Sequence, residues 1–286
     1  MKAADSGQEL KIYEPDNSIK KGFFAVYGEI FHELKNNRWL MYQLFKRDIT
    51  AMHKQSFMGM LWLVVMPVFS VMTFVMLKRS GVMNTGDTGV PYALYVVSGL
   101  AIWQLFSTGI VSCTQSLVEA GVMIKIINFS KKSLVIAALG KSFIAFLVQI
   151  VLLLILFIVY RHWPQPGILL IPFILLPLVL LTLGLGLLLA LLNSVMRDIG
   201  NMLAIAVTFL MFLTPVFYVR PTAGFLGEIT RFNPLYYFIS AGRDLLFAGS
   251  ITELNGYLLA SLASFLLFLV SLSVFHLTET RITERV

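Results

Sequence analysis

The sequence predicts an all-α integral membrane protein. It should have six transmembrane helices, an N-terminal amphipathic interfacial helix, and a re-entrant external helical hairpin between spans five and six. Three observations predict this. The first is composition: of 286 residues, 58% are hydrophobic and 13% charged, with mean hydropathy +0.82. Soluble domains carry about 25% charged residues, so this chain has too little charge to clothe a water-facing surface. The second is a set of charge-free windows: Lys54–Lys78, Asp87–Glu119, Lys141–Arg161, Arg161–Arg197, Asp198–Arg220 and Glu253–Glu279. Each can hold one span of about 20 apolar residues. The third is the lack of short segments alternating apolar and polar residues, which a membrane barrel requires. Backbone polar groups in lipid must be satisfied internally, so the spans are helices.

The elements follow in order. Residues 1–22 are polar and mixed in charge, and read as a mobile cytoplasmic arm. Residues 23–56 turn helical: Tyr27, Ile30, Phe31 and Leu34 share one face, and after Asn36 and Asn37 so do Leu40, Leu44, Phe45, Ile49 and Met52. Lys35, Arg38, Lys46, Arg47 and Lys54 occupy the other face, the pattern of a helix lying in the membrane interface. That helix either anchors the chain or forms a docking cuff for a partner. Residues 57–286 form the six-span domain, with spans near 57–77, 92–112, 134–160, 167–192, 201–218 and 256–277.

Of the 22 Lys and Arg residues, only Lys78, Arg79, Arg161, Arg220, Arg231 and Arg243 fall opposite the N-terminal side. The positive-inside rule therefore puts both termini in the cytoplasm. The first 20 residues hold no apolar run, so no cleavable signal peptide is expected.

Two connecting segments stand out. Ser116–Lys132 sets Glu119, Lys125, Lys131 and Lys132 among Val118, Met123, Ile124, Ile126, Ile127 and Phe129. It reads as a helix on the headgroups or a short helix inserted into a partner's groove. The external segment 219–250 holds Phe225, Leu226, Ile229 and Phe232 at helical spacing, a break at Asn233-Pro234, and a second helical stretch, Leu235–Phe247. Such a hairpin between spans reads as re-entrant, or as a surface loop with an interfacial anchor.

Much chemistry is excluded. One cysteine, Cys113, rules out a disulfide framework or a Cys-based metal site. The net charge of +7 is spread along membrane-flanking segments, which suits anionic headgroups better than nucleic acid. Gly140-Lys141-Ser142 ends like a phosphate-binding loop, but Val135 stands where the first glycine belongs. No catalytic constellation is present, so the chain is not expected to be an enzyme. The spans hold no central carboxylate or histidine for ion coupling (His276 sits near the end of the last). Energy should therefore come from elsewhere. Gly184, Gly186 and Ala190 allow close helix approach.

Several motifs together resemble a known family. Lys46-Arg47-Asp48-Ile49, then Gln55-Ser56-Phe57-Met58-Gly59-Met60-Leu61-Trp62 and Pro67, resemble the approach to the first span of type 2 ABC exporter permeases for polysaccharide, O-antigen or teichoic acid. Asn193–Gly200 resembles the cytoplasmic loop between spans four and five. Thr214–Tyr218, Arg231–Tyr237 and Arg243 resemble the last external segment. The likeness covers residues 38–286. It implies a homodimeric channel for a lipid-linked polysaccharide, most specifically O-antigen, in a bacterial inner membrane. Two copies of a separate ATPase would carry ATP and Mg, with no cofactor on this chain. It further implies ATPase-coupling roles for Glu119, Lys125, Lys131 and Lys132, and a cytoplasmic interface at Arg47, Asp48, Arg197 and Asp198. The external gate would be Phe232, Asn233, Pro234, Tyr236, Tyr237 and Arg243. Arg47, Arg197 and Arg243 could equally meet pyrophosphate, headgroups or Asp partners.

Aromatic rings offer apolar faces on which sugars slide. Trp62, Tyr95, Trp103, Phe106 and Tyr218 are candidates for that role, or else for an interfacial aromatic belt. The alternative readings are a small-solute secondary carrier or channel, and an ABC exporter of another lipid or drug cargo.

Overall fold

The computed structural model describes residues 23–53, 61–83, 85–126 and 130–282, and all regular structure within them is helical. The arm 1–22, residues 54–60, 84 and 127–129 and the final four residues lie outside the described residues.

The predicted interfacial stretch is two helices, α1 (Phe23–Asn36) and α2 (Arg38–His53). Ile30 and Leu44 are buried as their pattern requires, whereas Phe31 is exposed. α3 (Leu61–Arg79) contains Pro67, which removes one backbone donor from the helix interior. α4 (Tyr92–Glu119) runs a full two turns past the predicted end of span two. The reason is visible in its burial: Cys113, Thr114 and Leu117 all lie in the core, so tertiary packing carries the helix on.

A short helix α5 (Gly121–Ile126) follows, then α6 (Lys132–Tyr160). A 3-10 turn at Pro166–Leu170 and the one-turn α7 (Ile171–Ile174) lead into α8 (Leu176–Val195). α9 is Asp198–Leu213. The end of the chain is α10 (Phe225–Phe232), α11 (Pro234–Phe247) and α12 (Leu254–Ile282).

Among the described residues, five stretches are long and apolar enough to cross a membrane: Leu61–Arg79, Tyr92–Glu119, Lys132–Tyr160, Pro166–Val195 and Leu254–Glu279. The predicted fifth span, 201–218, is the shorter apolar helix α9. Thr214 leaves helical geometry just before Pro215. At 1.5 Å per residue α9 reaches about 24 Å, short of the roughly 30 Å hydrocarbon core.

α4 is the hub. It packs against α6 and α8 along most of its length and touches α3, α9 and α11. In its most apolar stretch 72% of residues are buried, against 6% for α3, which lies on the periphery of the chain. Between helices in lipid, close contact replaces the hydrophobic effect as the cohesive force, so small residues sit at the crossings. A Cβ on Gly186 would stand 2.6 Å from that of Cys113 on α4. One on Gly184 would stand 2.5 Å from Leu267 Cδ2 on α12. α8 is thereby clamped between α4 and α12, and Ala190 in the same stripe is fully buried.

Candidate functional site

The bundle gathers its polar residues at two ends. The end holding α1 and α2 also receives the start of α6, the α8–α9 turn and the last turns of α12. Lys132, the first residue of α6, is 1% exposed. Its ammonium lies 2.9 Å from Glu33 Oε2 on α1 and 2.5 Å from Glu279 Oε2 on α12, and donates to His276 Nδ1 at 2.8 Å. An ammonium has only donors, so His276 accepts at Nδ1. The Lys131 backbone amide donates to Glu279 Oε1, and the Lys131 ammonium reaches the Glu279 carbonyl at 3.2 Å. Burial holds the Lys131 ammonium below its ordinary pKa, and Glu279 opposes that shift.

The ligand atoms of Glu33, His276 and Glu279 lie within 4.8 Å of one another. That spacing would suit a divalent ion, but the Lys132 ammonium already stands among them and supplies the positive charge. Lys131 and Lys132 are thus turned into the chain. Sequence reasoning placed them on a partner-facing segment, and it missed Glu33 and Glu279, whose distance along the chain hides the cluster.

Beside this cluster, Asp48 of α2 takes bonds from Arg47 at 3.0 and 2.8 Å and lies 3.7 Å from Lys141 of α6. Lys141 also pairs with Glu119 at 3.3 Å. The Gly140-Lys141-Ser142 sequence is therefore helix interior; the ring of Phe45 covers Gly140, where a Cβ would lie 2.2 Å from it. Lys125 lies on α5. Arg197 and Asp198 begin α9 and are exposed. The turn that carries them is held by Asn193, which donates to the Thr114 carbonyl at 3.1 Å and accepts from the Gly200 amide at 2.8 Å.

The opposite end is built around α11. Asn233 caps it by accepting from the Leu235 amide at 3.0 Å, and Pro234 takes the first helical position. The other end of the Asn233 amide donates to Thr214 Oγ1 at 2.8 Å. Nearly three turns later, Arg243 is 7% exposed and threads between α4 and the chain after α9. It donates to the carbonyls of Pro215 at 2.8 Å, Tyr95 at 3.2 Å and Val216, and lies 3.7 Å over the Tyr95 ring. Gly99 makes room: a Cβ there would stand 2.0 Å from the guanidinium. Arg243 is thus a staple onto backbone carbonyls, with its buried Nε left without a partner.

Tyr236 donates to Glu253 Oε1 at 2.7 Å. Arg220 pairs with the same carboxylate at 3.2 Å and lies 5.0 Å over the Tyr236 ring. Burial first, then the bond to Glu253, pushes the Tyr236 phenol up to about 12. Tyr237 donates to the Arg231 carbonyl at 2.8 Å, while Phe232 is 83% exposed. Arg220, Glu253 and Asp244 were not anticipated, because nothing local in the sequence marks them.

The aromatic residues divide. Trp103 and Phe106 are 4% and 2% exposed and pack on each other in the core, ring centroids 5.6 Å apart, so they face no open path within the chain. Tyr95 lies beneath Arg243 and donates to the Tyr218 carbonyl at 3.0 Å. Trp62 is 43% exposed on α3, and Tyr218 borders the opposite end.

Comparison with known proteins joins these observations. Residues 40–247 match the family described as ABC-2 type transporter. Over 262 residues the chain is 23% identical to the O-antigen export system permease protein RfbA of Myxococcus xanthus, covering 90% of this chain and 99% of that protein. It is 24% identical over 254 residues to an O-antigen export system permease protein RfbA of Klebsiella pneumoniae, covering 86% and 94%. A second Klebsiella pneumoniae protein of that name is 23% identical over 251 residues, with the same shares covered.

Proposed function

The chain belongs to the ABC-2 type transporter membrane family, and on that premise we propose that it is the permease subunit of an ATP-driven exporter for lipid-linked O-antigen. The carrying observation is similarity across nearly the whole of two bacterial O-antigen export permeases. Membership in the family implies an ABC ATPase as partner. In this reading two copies of the permease and two of the ATPase form the exporter in the bacterial inner membrane. Both termini are cytoplasmic, and α9 crosses as the fifth of six spans together with the extended chain after it.

The end holding α1 and α2 then faces the ATPase. α5, presented between α4 and α6, is the coupling helix. The buried Lys132 cluster ties the residues just after it to α1 and α12, so a push on that segment is carried to three helices at once. Glu119, Lys125, Arg197 and Asp198 are the ATPase-facing charges. Residues 219–250 form the external gate, with α10 and the exposed Phe232 as its movable part and Asn233 and Arg243 as its hinge and anchor. Trp62 and Tyr218 are the remaining aromatic candidates for contact with the sugar chain.

Co-expression with an ABC ATPase encoded beside this chain tests the assembly. Affinity purification of one subunit should bring down the other in equal amount, with a mass matching two of each. A strain lacking the chain should lose its surface glycan and accumulate lipid-linked precursor. Normal surface glycan in that strain would refute the reading.

A further inference from the structure

Between the N-terminus of α4, the segment after α9, α11 and the start of α12 lies a cavity of about 510 Å³. That is within the roughly 300–1,000 Å³ span of small-ligand sites. Its walls hold two arginines, Arg220 and Arg243, and two carboxylates, Asp244 and Glu253. Arg220 pairs with Glu253, and the two terminal nitrogens of Arg243 bond backbone carbonyls while its buried Nε has no partner. The fixed charge therefore balances, and an anion entering the cavity would meet two carboxylates. The remaining polar wall is Thr222, Ser240, whose side chain bonds the Tyr236 phenol, and the second oxygen of Asp244, whose Oδ2 accepts from Thr252. The rings of Tyr236 and Phe247 supply apolar wall.

Balanced charge, scattered hydroxyls, an open carboxylate acceptor and aromatic wall form a surface suited to sugar hydroxyls and C–H faces, and ill suited to phosphate or lipid tails. We infer that this cavity is a saccharide-binding site, holding a short neutral stretch of glycan against α11. The inference rests on the exporter reading for its biological cargo, but the site itself is defined by its chemistry. Because α11 also carries the Arg243 staple, a glycan in the cavity contacts the element on which the proposed gate is mounted.

The test is equilibrium binding to the full-length chain in lipid nanodiscs. The probes are the surface polysaccharide of the producing strain cleaved from its lipid, neutral disaccharides, and inorganic phosphate. Saccharides should bind and phosphate should not. Ser240→Trp, which fills the cavity from α11, should weaken saccharide binding at least tenfold. Thr222→Trp fills it from the opposite wall and carries the test if the first variant does not fold.

Saccharide affinity unchanged in the filled variants, or binding of phosphate in place of saccharide, would overturn the site. A strain that exports normally through a chain with no saccharide affinity overturns the site and leaves the exporter reading standing. Saccharide binding lost in the filled variants, in a chain whose deletion spares surface glycan, upholds the site and overturns the exporter reading.

Discussion

Lys132 shows how a single side chain can tie a membrane bundle together. Its ammonium is 1% exposed and satisfied by two carboxylates and an imidazole from helices far apart in sequence. Removing one partner of a buried ionic group leaves the others uncompensated, at about 3–5 kcal/mol. Lys132→Met should therefore lower the melting temperature of the purified protein and expose α1 to trypsin. Adding Glu279→Gln should recover part of the loss, because it removes one orphaned charge while keeping an acceptor for the Lys131 amide. A Lys132→Met protein that melts with the wild type would remove the cluster from any structural role.

Tyr236 makes a second prediction at this scale. Its phenol is held at about 12, above the ordinary value near 10. Below pH 10 both folded and unfolded chains carry the proton, and the tyrosine's contribution is complete. As pH rises from 10 towards 12 the unfolded chain ionises first, so that contribution is lost. Tyr236→Phe should cost about 1 kcal/mol at neutral pH, the worth of one hydrogen bond to a half-exposed carboxylate. Its deficit against wild type should shrink across pH 10–12 in thermal melts. A deficit that is constant with pH would mean the phenol does not titrate as its burial implies.

At the scale of elements, the α8–α9 turn and the α10–α11 junction follow the same logic. Each is a break in helix near an asparagine whose side chain satisfies backbone on one side and reaches another element on the other. Asn193 does this between Gly200 and Thr114, and Asn233 between Leu235 and Thr214. Both lie at positions the sequence marked, Asn193-Ser194 before an Arg-Asp pair and Asn233-Pro234 between two amphipathic stretches. The residues they reach were not legible, because a hydrogen bond across 79 positions leaves no trace in local pattern. α9 is the other instructive element. Its window is long enough for a span, yet helix ends at Leu213 because Pro215 and the carbonyls that receive Arg243 require extended chain.

For the molecule as a whole, three of the four tryptophans report on the membrane. Trp39 on α2 is 69% exposed, and Trp163, beyond α6 at the opposite end, is 76% exposed, while Trp103 is buried in α4. Interfacial tryptophans sit at headgroup level. In single-tryptophan variants reconstituted in lipid, Trp39 and Trp163 should be quenched by lipids brominated near the headgroup, and Trp103 should be shielded. If Trp163 escaped quenching, the 161–165 turn would not lie at an interface, and the crossing assigned to α6 would have to change.

The membrane character, the positions of the long helices and the helix break at Asn233 were all legible in the sequence. They follow from hydropathy and from proline and asparagine chemistry, which act over a few residues. The motif resemblance led to the permease family that residues 40–247 match. Tertiary structure alone decided which charges face inward and which helix is the hub. Lys131 and Lys132 look like surface lysines until α1 and α12 bring carboxylates to them. Arg243 has no carboxylate to announce it, only carbonyls exposed by the end of α9. Trp103 and Phe106 resemble channel-lining aromatics until α6 and α8 close over α4. Each depends on contacts between segments remote in sequence, and in a chain this uniformly apolar, periodicity cannot tell a face turned to lipid from one turned to another helix.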